Sequence, residues 1–224
     1  MIAMPIYKGS TKIGVIKKGS TNIKKVFKGA TLVFGKEVFE RTFTASGSIT
    51  FPATMYRLTV IVVGAGGGGG AGSAFSTSAW WSGGGAGGGA KAESTFTGDA
   101  VKAYAGKTVS FTVGAGGGGG GFNDSSMSRG GTGGQSRFGN LVANGGVGGQ
   151  NNWGGSGAAG GAGGSSSGGQ TNTPGNSGTK GDVYYANGTG GASLWNGYGK
   201  GGNGAYHPSG EAGTAGCVYI RYEY

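Results

Sequence analysis

The residues that could carry acid–base, nucleophilic or metal chemistry are few and stand apart. The 224 residues include one histidine, His207, and one cysteine, Cys217. The acidic residues of the glycine-rich part are separated by glycine blocks, and they include Glu93, Asp124, Asp182 and Glu211. Hydrolysis needs a positioned acid and base, and a metal site needs several converging donors. We therefore expect a protein that is not an enzyme and has no metal or cofactor site.

His207 and Cys217 both have simple structural interpretations. His207 precedes Pro208, a pair that is typical of a turn. Cys217 opens an apolar run that predicts a β-strand, so we expect a buried and unreactive thiol. A single cysteine also excludes a disulfide framework within the chain.

Aromatic side chains are a better clue to function than titratable ones. They recur in short islands among Ser, Asn, Thr and Gly, a mixture typical of binding loops, where rigid rings supply contact area and small polar groups adapt. The candidate binding residues are Phe75, Trp80, Trp81, Phe122, Trp153, Tyr184, Tyr185, Trp195, Tyr198 and Tyr206. Trp and Tyr rings can stack on the apolar faces of sugars while Asn and Ser bond the hydroxyls. The alternative is that these rings only cover the ends of the glycine-rich structure, in place of an aliphatic core.

The glycine blocks between the islands must position them. Glycine accounts for 60 of the 224 residues, against an ordinary share of about 7 %. Long glycine runs can form polyglycine II helices with three residues per turn, and such helices can approach until their backbone N–H and C=O groups pair. We expect an ordered lattice of this kind, with other residues on its faces and at loop tips. A flexible Gly/Ser linker is the alternative.

One glycine block resembles a nucleotide-binding motif. Gly64–Gly69 follows an apolar run and fits the G-x-G-x-x-G pattern. The pattern arises by composition in so glycine-rich a chain, and the residues after it cannot propagate the helix that would present the pyrophosphate site. We therefore expect no nucleotide site. Leu58–Val63 is too short for a membrane helix, and Met1–Pro5 carries no legible secretory signal.

Residues 1–43 form a basic head with a ten-residue repeat. The head holds nine basic and two acidic residues of a chain whose net charge is +10. Gly9, Gly19 and Gly29 are in register, each after a lysine and between short β-branched or aromatic runs, which predicts a unit of strand, Lys-Gly turn and strand. Three such units predict a small β meander. We favour solvated strand faces as the reason for the lysines over the alternative of a nucleic-acid site.

The sequence as a whole predicts an all-β protein with two domains. The small N-terminal β meander of residues 1–43 is followed by a glycine-rich domain, residues 44–224, with β-strands and polyglycine II helices. Strands are expected at Tyr56–Val63, Lys107–Val113 and Cys217–Tyr224 because of their β-branched and aromatic content.

An ordered set of cues in residues 44–224 resembles the glycine-rich domain of bacteriophage tail fibre and receptor-binding tip proteins. The cues are Ile49–Pro52, Leu58–Gly68, Ala105–Gly117, Gly133–Gly139 and Gly216–Tyr222. The repeats of the head are similar to the Lys-Gly-Ser-Thr repeats that open many phage tail adhesins.

This resemblance implies a virion protein, a tail adhesin that binds a bacterial surface glycan or outer-surface protein through its loops. It implies that the head binds other tail or fibre proteins, and that the protein is a homo-oligomer (trimer) or a cap on a trimeric fibre. It further implies synthesis in the host cytoplasm and release by lysis, with no nucleic-acid binding and no membrane insertion. Two other functions remain open, a purely structural tail or decoration protein and an ice-binding protein built from flat polyglycine helices.

Overall fold

The computed structural model describes most of the chain from residue 37 onward and short strands before it. The described residues are 7–8, 11–12, 16–18, 21–23, 26–28, 31–34, 37–76, 79–123, 126–152, 157–182, 186–205 and 209–224. For 7–34, 74–80 and 123 the description is of the backbone alone. In chain order the elements are β1 (Tyr7–Lys8), β2 (Thr11–Lys12), β3 (Ile16–Lys18), β4 (Thr21–Ile23), β5 (Val26–Lys28), β6 (Thr31–Phe34), β7 (Val38–Phe43), β8 (Gly47–Thr50), β9 (Arg57–Val63), β10 (Ser73–Ser76), β11 (Ala79–Trp81), β12 (Lys91–Thr97), α1 (Asp99–Lys102), β13 (Thr108–Thr112), β14 (Phe122–Asn123), β15 (Ser126–Met127), β16 (Ser136–Phe138), β17 (Leu141–Ala143), β18 (Ser166–Ser167), β19 (Thr171–Thr173) and β20 (Cys217–Glu223).

The ten-residue repeat folds as three antiparallel hairpins, β1–β2, β3–β4 and β5–β6. Their closing pairs are Lys8↔Thr11, Lys18↔Thr21 and Lys28↔Thr31, so the same register recurs every ten residues. This confirms the paired strands of the predicted unit, while the glycines predicted at its turns, Gly9, Gly19 and Gly29, lie outside the described residues. Among the described residues each strand pairs only within its own hairpin, whereas a meander would also pair successive hairpins.

Two five-stranded antiparallel sheets hold the main hydrophobic core. Their strand orders are β19-β12-β9-β20-β7 and β18-β17-β16-β13-β8. The three strands expected from β-branched content are confirmed as β9, β13 and β20, and the all-β class with them. Phe51 is buried between the sheets, with its ring centroid 6.3 Å from that of Phe138 and 5.5 Å from that of Tyr222. β7, which the sequence places in the head, pairs with β20.

Ten extended segments continue from these strands and pack side by side. In chain order we call them PG1 (64–72), PG2 (82–90), PG3 (113–121), PG4 (128–135), PG5 (144–152), PG6 (157–165), PG7 (174–182), PG8 (186–193), PG9 (199–205) and PG10 (209–216). Their backbone hydrogen bonds repeat every three residues. In PG1 the N–H groups at positions 64, 67 and 70 donate to PG2, those at 65, 68 and 71 to PG4, and those at 66 and 69 to PG10, with N···O distances of 2.8–3.3 Å. Three residues per turn is the polyglycine II repeat, so the predicted lattice is confirmed.

PG1 and PG2 are the two central helices. PG1 also accepts hydrogen bonds from PG3, PG5 and PG9, so it has six neighbours. PG2 donates to PG5, PG7 and PG9 and accepts from PG1, PG6 and PG8, which again makes six. The remaining eight helices form a closed ring around this pair in chain order, from PG3 through PG10 and back to PG3. Every residue of PG1 and PG2 is buried.

Close backbone approach explains the glycines of the central helices. A Cβ added at Gly68 would lie 2.0 Å from the Gly118 carbonyl oxygen, and one at Gly87 would lie 1.9 Å from the Ala162 oxygen. The expectation that other residues lie only on faces and tips is wrong for four alanines. Fully buried alanines occur in PG1 and PG2 at Ala65, Ala71, Ala86 and Ala90. PG1 and PG2 carry no side chain larger than that of serine, because helices spaced for backbone hydrogen bonding leave room for no more.

No helix among the described residues is both long enough and apolar enough to span a lipid bilayer.

Candidate recognition surface

The end of the lattice away from the two sheets, which we call the tip, gathers the ends of all ten helices. Hydrogen bonds between these ends include Ala71 N–H to Ser128 O, Ser82 N–H to Asp182 O, Asn152 N–H to Ala71 O, Gly181 N–H to Ala158 O, Ala205 N–H to Gly70 O and Gly210 N–H to Gly120 O. Because helices that follow one another along the chain run in opposite directions, the connections that follow PG1, PG3, PG5, PG7 and PG9 all start at this end. Five connections therefore start from one end of the lattice.

Two of these connections are β-hairpins. β10 pairs with β11 and brings Ser73 opposite Trp81, while β14 pairs with β15 and brings Phe122 opposite Met127. Trp81, Phe122 and Met127 are half-buried, so each side chain combines contact with the rest of the protein and exposure to solvent. The backbones of Phe75 and Trp80 lie in β10 and β11.

Four predicted receptor-binding residues, Trp153, Tyr184, Tyr185 and Tyr206, lie outside the described residues. The residues on which their connections start, Asn152, Asp182 and Ala205, all lie at the tip. The lattice thus brings together the starting points of connections that are far apart in sequence.

The base of the tip contains buried polar side chains. Asn152 is 6 % exposed, and its side-chain N–H donates to the Ser82 carbonyl at 3.5 Å, which links PG5 to the start of PG2. The Oγ atoms of Ser73 and Ser82 are buried and make no hydrogen bond in the described part of the chain. An unsatisfied buried hydroxyl costs about 1–3 kcal/mol, so these two serines do not stabilise the base of the first hairpin.

Trp195 and Tyr198 lie at the other end of the lattice, beside the first sheet. They form an isolated bridge in the turn between PG8 and PG9, and their rings pack with Tyr219 against Ile61, Val63 and Cys217. The structure therefore separates these two aromatic residues from those of the tip, although the sequence grouped all ten as one set. Tyr219 was not among the candidates, although its alternation with the buried residues Val218 and Ile220 could have placed it on the outer face of its strand.

The Cys217 thiol is buried beneath this aromatic cluster, which confirms the predicted burial. Burial raises the pKa of Cys217 to about 12, so the thiolate is scarce near neutral pH. Burial, and next the hydrogen bond from its hydroxyl to the Glu40 carboxylate, raises the pKa of Tyr219 to about 12. In the parts of the chain that are described, no three His, Cys, Asp or Glu side chains are grouped as metal ligands would be.

Comparison with protein families identifies the class to which this architecture belongs. Residues 42–216 match the family model described as a glycine-rich domain. The match runs from the last two residues of β7 to the residue before β20 and covers all ten polyglycine helices, so the chain belongs to the glycine-rich domain family. No curated protein matches the chain significantly.

Proposed function

We propose that this protein is a phage virion tail fibre or tip adhesin without catalytic activity, which binds a bacterial cell-surface receptor, a glycan or an outer-surface protein, through the tip. The observation that carries the proposal is that five connections start from one end of a lattice whose two central helices are fully buried. A support of this kind fixes loop positions before binding, so little entropy is lost when a ligand is bound. The half-buried rings of Trp81 and Phe122 are anchors of the type found in binding loops.

The head supplies the other half of the proposed function. Three hairpins of equal register, rich in lysine, are suited to attachment to other tail or fibre proteins, and we propose that the protein acts there as a homo-oligomer, a trimer, or as a cap on a trimeric fibre. Several copies on one particle convert modest affinities into avidity. The particle would be assembled in the host cytoplasm and released by lysis. Neither nucleic-acid binding nor membrane insertion is part of the proposal.

A cell-binding assay tests the proposal with variants at described positions. Fluorescently labelled full-length chain is incubated with candidate host cells that carry or lack outer polysaccharide, next to the double variant Trp81→Ala/Phe122→Ala. We expect the variant to lose at least about tenfold in apparent affinity, because each ring removed is a contact anchor. Val38→Ala is the control, since Val38 is a large exposed hydrophobic side chain (50 %) on the sheet side of the molecule.

The purely structural alternative makes the opposite prediction. A tail or decoration protein without receptor binding would leave host adsorption unchanged when the tip rings are removed. Unaltered adsorption by a folded double variant, or no binding of the wild-type chain to any host tested, would overturn the adhesin proposal in favour of the structural one.

A further inference from the structure

A second aromatic surface lies next to the first sheet, at the end opposite the tip. The Trp195 ring centroid lies 6.2 Å from that of Tyr198, with the planes inclined by 26°, and 5.1 Å from that of Tyr219, with the planes inclined by 57°. All three side chains are half-buried. Each ring therefore covers the apolar cluster beneath it and also presents surface to solvent.

The turn that carries two of these rings is fixed from both sides. The Ser193 hydroxyl accepts a hydrogen bond from the Trp195 N–H at 3.1 Å and donates to the Tyr198 carbonyl at 2.7 Å. The Thr214 hydroxyl donates to the Gly197 carbonyl at 3.1 Å. Asn196, with φ 48°, and Gly197, with φ 84°, form the tip of the turn, a conformation that an Asn-Gly pair adopts readily. The ring positions are thus set before any ligand arrives.

Charged hydrogen-bonding groups adjoin the rings on the same face of the sheet. The Tyr219 hydroxyl bonds to the Glu40 carboxylate, and the Arg221 Nε lies 4.0 Å from that carboxylate. The Glu40 side chain is 58 % exposed and that of Arg221 is 32 % exposed. Arg221 is also held by Glu223, with Nη1 2.9 Å from Oε1. A row of contacts therefore runs from Tyr198 through Trp195 and Tyr219 to an exposed acceptor and a positioned donor.

We propose that this surface, comprising Trp195, Tyr198, Tyr219, Glu40 and Arg221, is a carbohydrate-binding site for a pyranose residue of a bacterial surface glycan. Sugars combine apolar C–H faces, which stack on Trp and Tyr rings, with hydroxyls that both donate and accept hydrogen bonds. The carboxylate accepts from neighbouring hydroxyls and the guanidinium donates to them, and such charge-assisted bonds are the strong ones. A cover for Cys217 would need the rings but not the exposed carboxylate and guanidinium beside them.

The site goes beyond the proposed tip function, and the choice of a bacterial surface glycan as its ligand rests on the proposed adhesin role. It lies at the opposite end of the lattice, so a chain that binds a receptor through the tip could hold a second sugar near its sheets. Two sites on one molecule would add to the avidity of the particle.

Glycan binding by the full-length chain tests this site. The probes are an array of defined bacterial surface oligosaccharides, followed by NMR or calorimetric titration of each positive glycan up to about 10 mM, the range of weak single sites. We expect Glu40→Gln to weaken binding about tenfold, since it replaces a charged acceptor by a neutral one, and Trp195→Phe to weaken it while keeping the apolar cluster covered. Glu93→Gln is the matched control, because Glu93 is a carboxylate on the same sheet that is paired with Lys91.

The outcomes separate this proposal from the previous one. Binding that is lost in Glu40→Gln and retained in both Glu93→Gln and the tip variant Trp81→Ala/Phe122→Ala supports the site. Absence of binding to every glycan at 10 mM, or binding that Glu40→Gln and Trp195→Phe leave unchanged in folded protein, overturns it. Loss of cell adsorption in the tip variant alone concerns only the tip. Melting temperatures of all variants confirm that each is folded.

Discussion

Two glycines in contact with each other provide a sharp test of the lattice. Gly68 lies in PG1 and Gly118 faces it from PG3. A Cβ on Gly68 would lie 2.0 Å from the Gly118 carbonyl oxygen, whereas a Cβ on Gly118 would meet nothing within 4 Å. Gly118 has no positive φ, so no backbone strain opposes alanine there. The same substitution is therefore expected to have opposite effects at two neighbouring positions.

The magnitude for Gly68→Ala follows from the hydrogen bonds that PG3 would lose. To restore ordinary contact, PG3 must move away by more than an ångström, which breaks the bonds from Gly117 N–H to Gly66 O at 2.9 Å and from Gly120 N–H to Gly69 O at 2.8 Å. At about 1 kcal/mol each, with overpacking that costs about 1–3 kcal/mol, the free energy of unfolding falls by about 3–5 kcal/mol. Gly118→Ala is expected to be neutral or to stabilise by about 0.4–1 kcal/mol, because it reduces the entropy of the unfolded chain.

Thermal unfolding followed by calorimetry or circular dichroism measures both effects. For a chain of this size 1 kcal/mol shifts the melting temperature by about 2–4 °C, so Gly68→Ala should melt at least about 6 °C below wild type and Gly118→Ala at or slightly above it. Equal melting temperatures for the two variants would refute the lattice as the reason for glycine at position 68.

Three further predictions concern the interior of the molecule. Ser82→Ala should raise the melting temperature or leave it unchanged, because the Ser82 Oγ lacks a partner in the described structure. Ser136→Ala should lower it, since the Ser136 Oγ accepts a hydrogen bond from the Gly114 N–H at 3.0 Å. A lower melting temperature for Ser82→Ala would show that its hydroxyl makes a hydrogen bond. The protein should lose stability at alkaline pH, because the raised pKa values of Cys217 and Tyr219 mean that the folded state keeps protons which the unfolded state releases from about pH 9 and pH 10. The stabilisation is complete below pH 9 and declines toward pH 12. The free energies of unfolding of wild type and Cys217→Ala, measured with urea across this range, should therefore change differently with pH above pH 9. Parallel curves would contradict a raised pKa of Cys217 in the folded state. Hydrogen exchange should be slowest in the amides of PG2, which are buried and bonded along their whole length, and exchange there at the rate of an unstructured peptide would contradict the ordered lattice.

The sequence predicts the components of this fold better than their arrangement. The strands at Arg57–Val63 and Cys217–Glu223 follow from their β-branched content. The polyglycine helices follow from the long glycine runs, for which polyglycine II is the expected regular structure. The order of the helices around PG1 and PG2 could not be predicted, because backbone hydrogen bonds between glycines leave no side-chain pattern that identifies a neighbour. In the ring, chain order decides it instead, since each helix from PG4 to PG10 packs beside the one before it.

The recognition surface shows the same limit. The aromatic residues were predicted as binding residues from their polar surroundings, but their division between the two ends depends on the number of helices that precede each island. Trp195 follows an even number of helices and so lies beside the sheets, while Trp81 follows an odd number, PG1 alone, and lies in the hairpin at the tip. Counting glycine blocks along the chain would have separated the two sets without a structure. Glu40 lies beside Tyr219 and Arg221 because β7 pairs with β20. This pairing joins segments that are far apart in the sequence, so the sequence alone could not predict it.

The three-residue hydrogen-bond period also restricts how such a molecule can grow. An insertion of three residues in each helix adds one complete layer and returns every donor to its original neighbour, whereas one or two extra residues would rotate all later donors toward the wrong helix. The length of the lattice can therefore change only in steps of one layer. Related proteins with a longer or shorter lattice should differ by multiples of three residues in each glycine block, whereas the connections between helices can change by any number of residues.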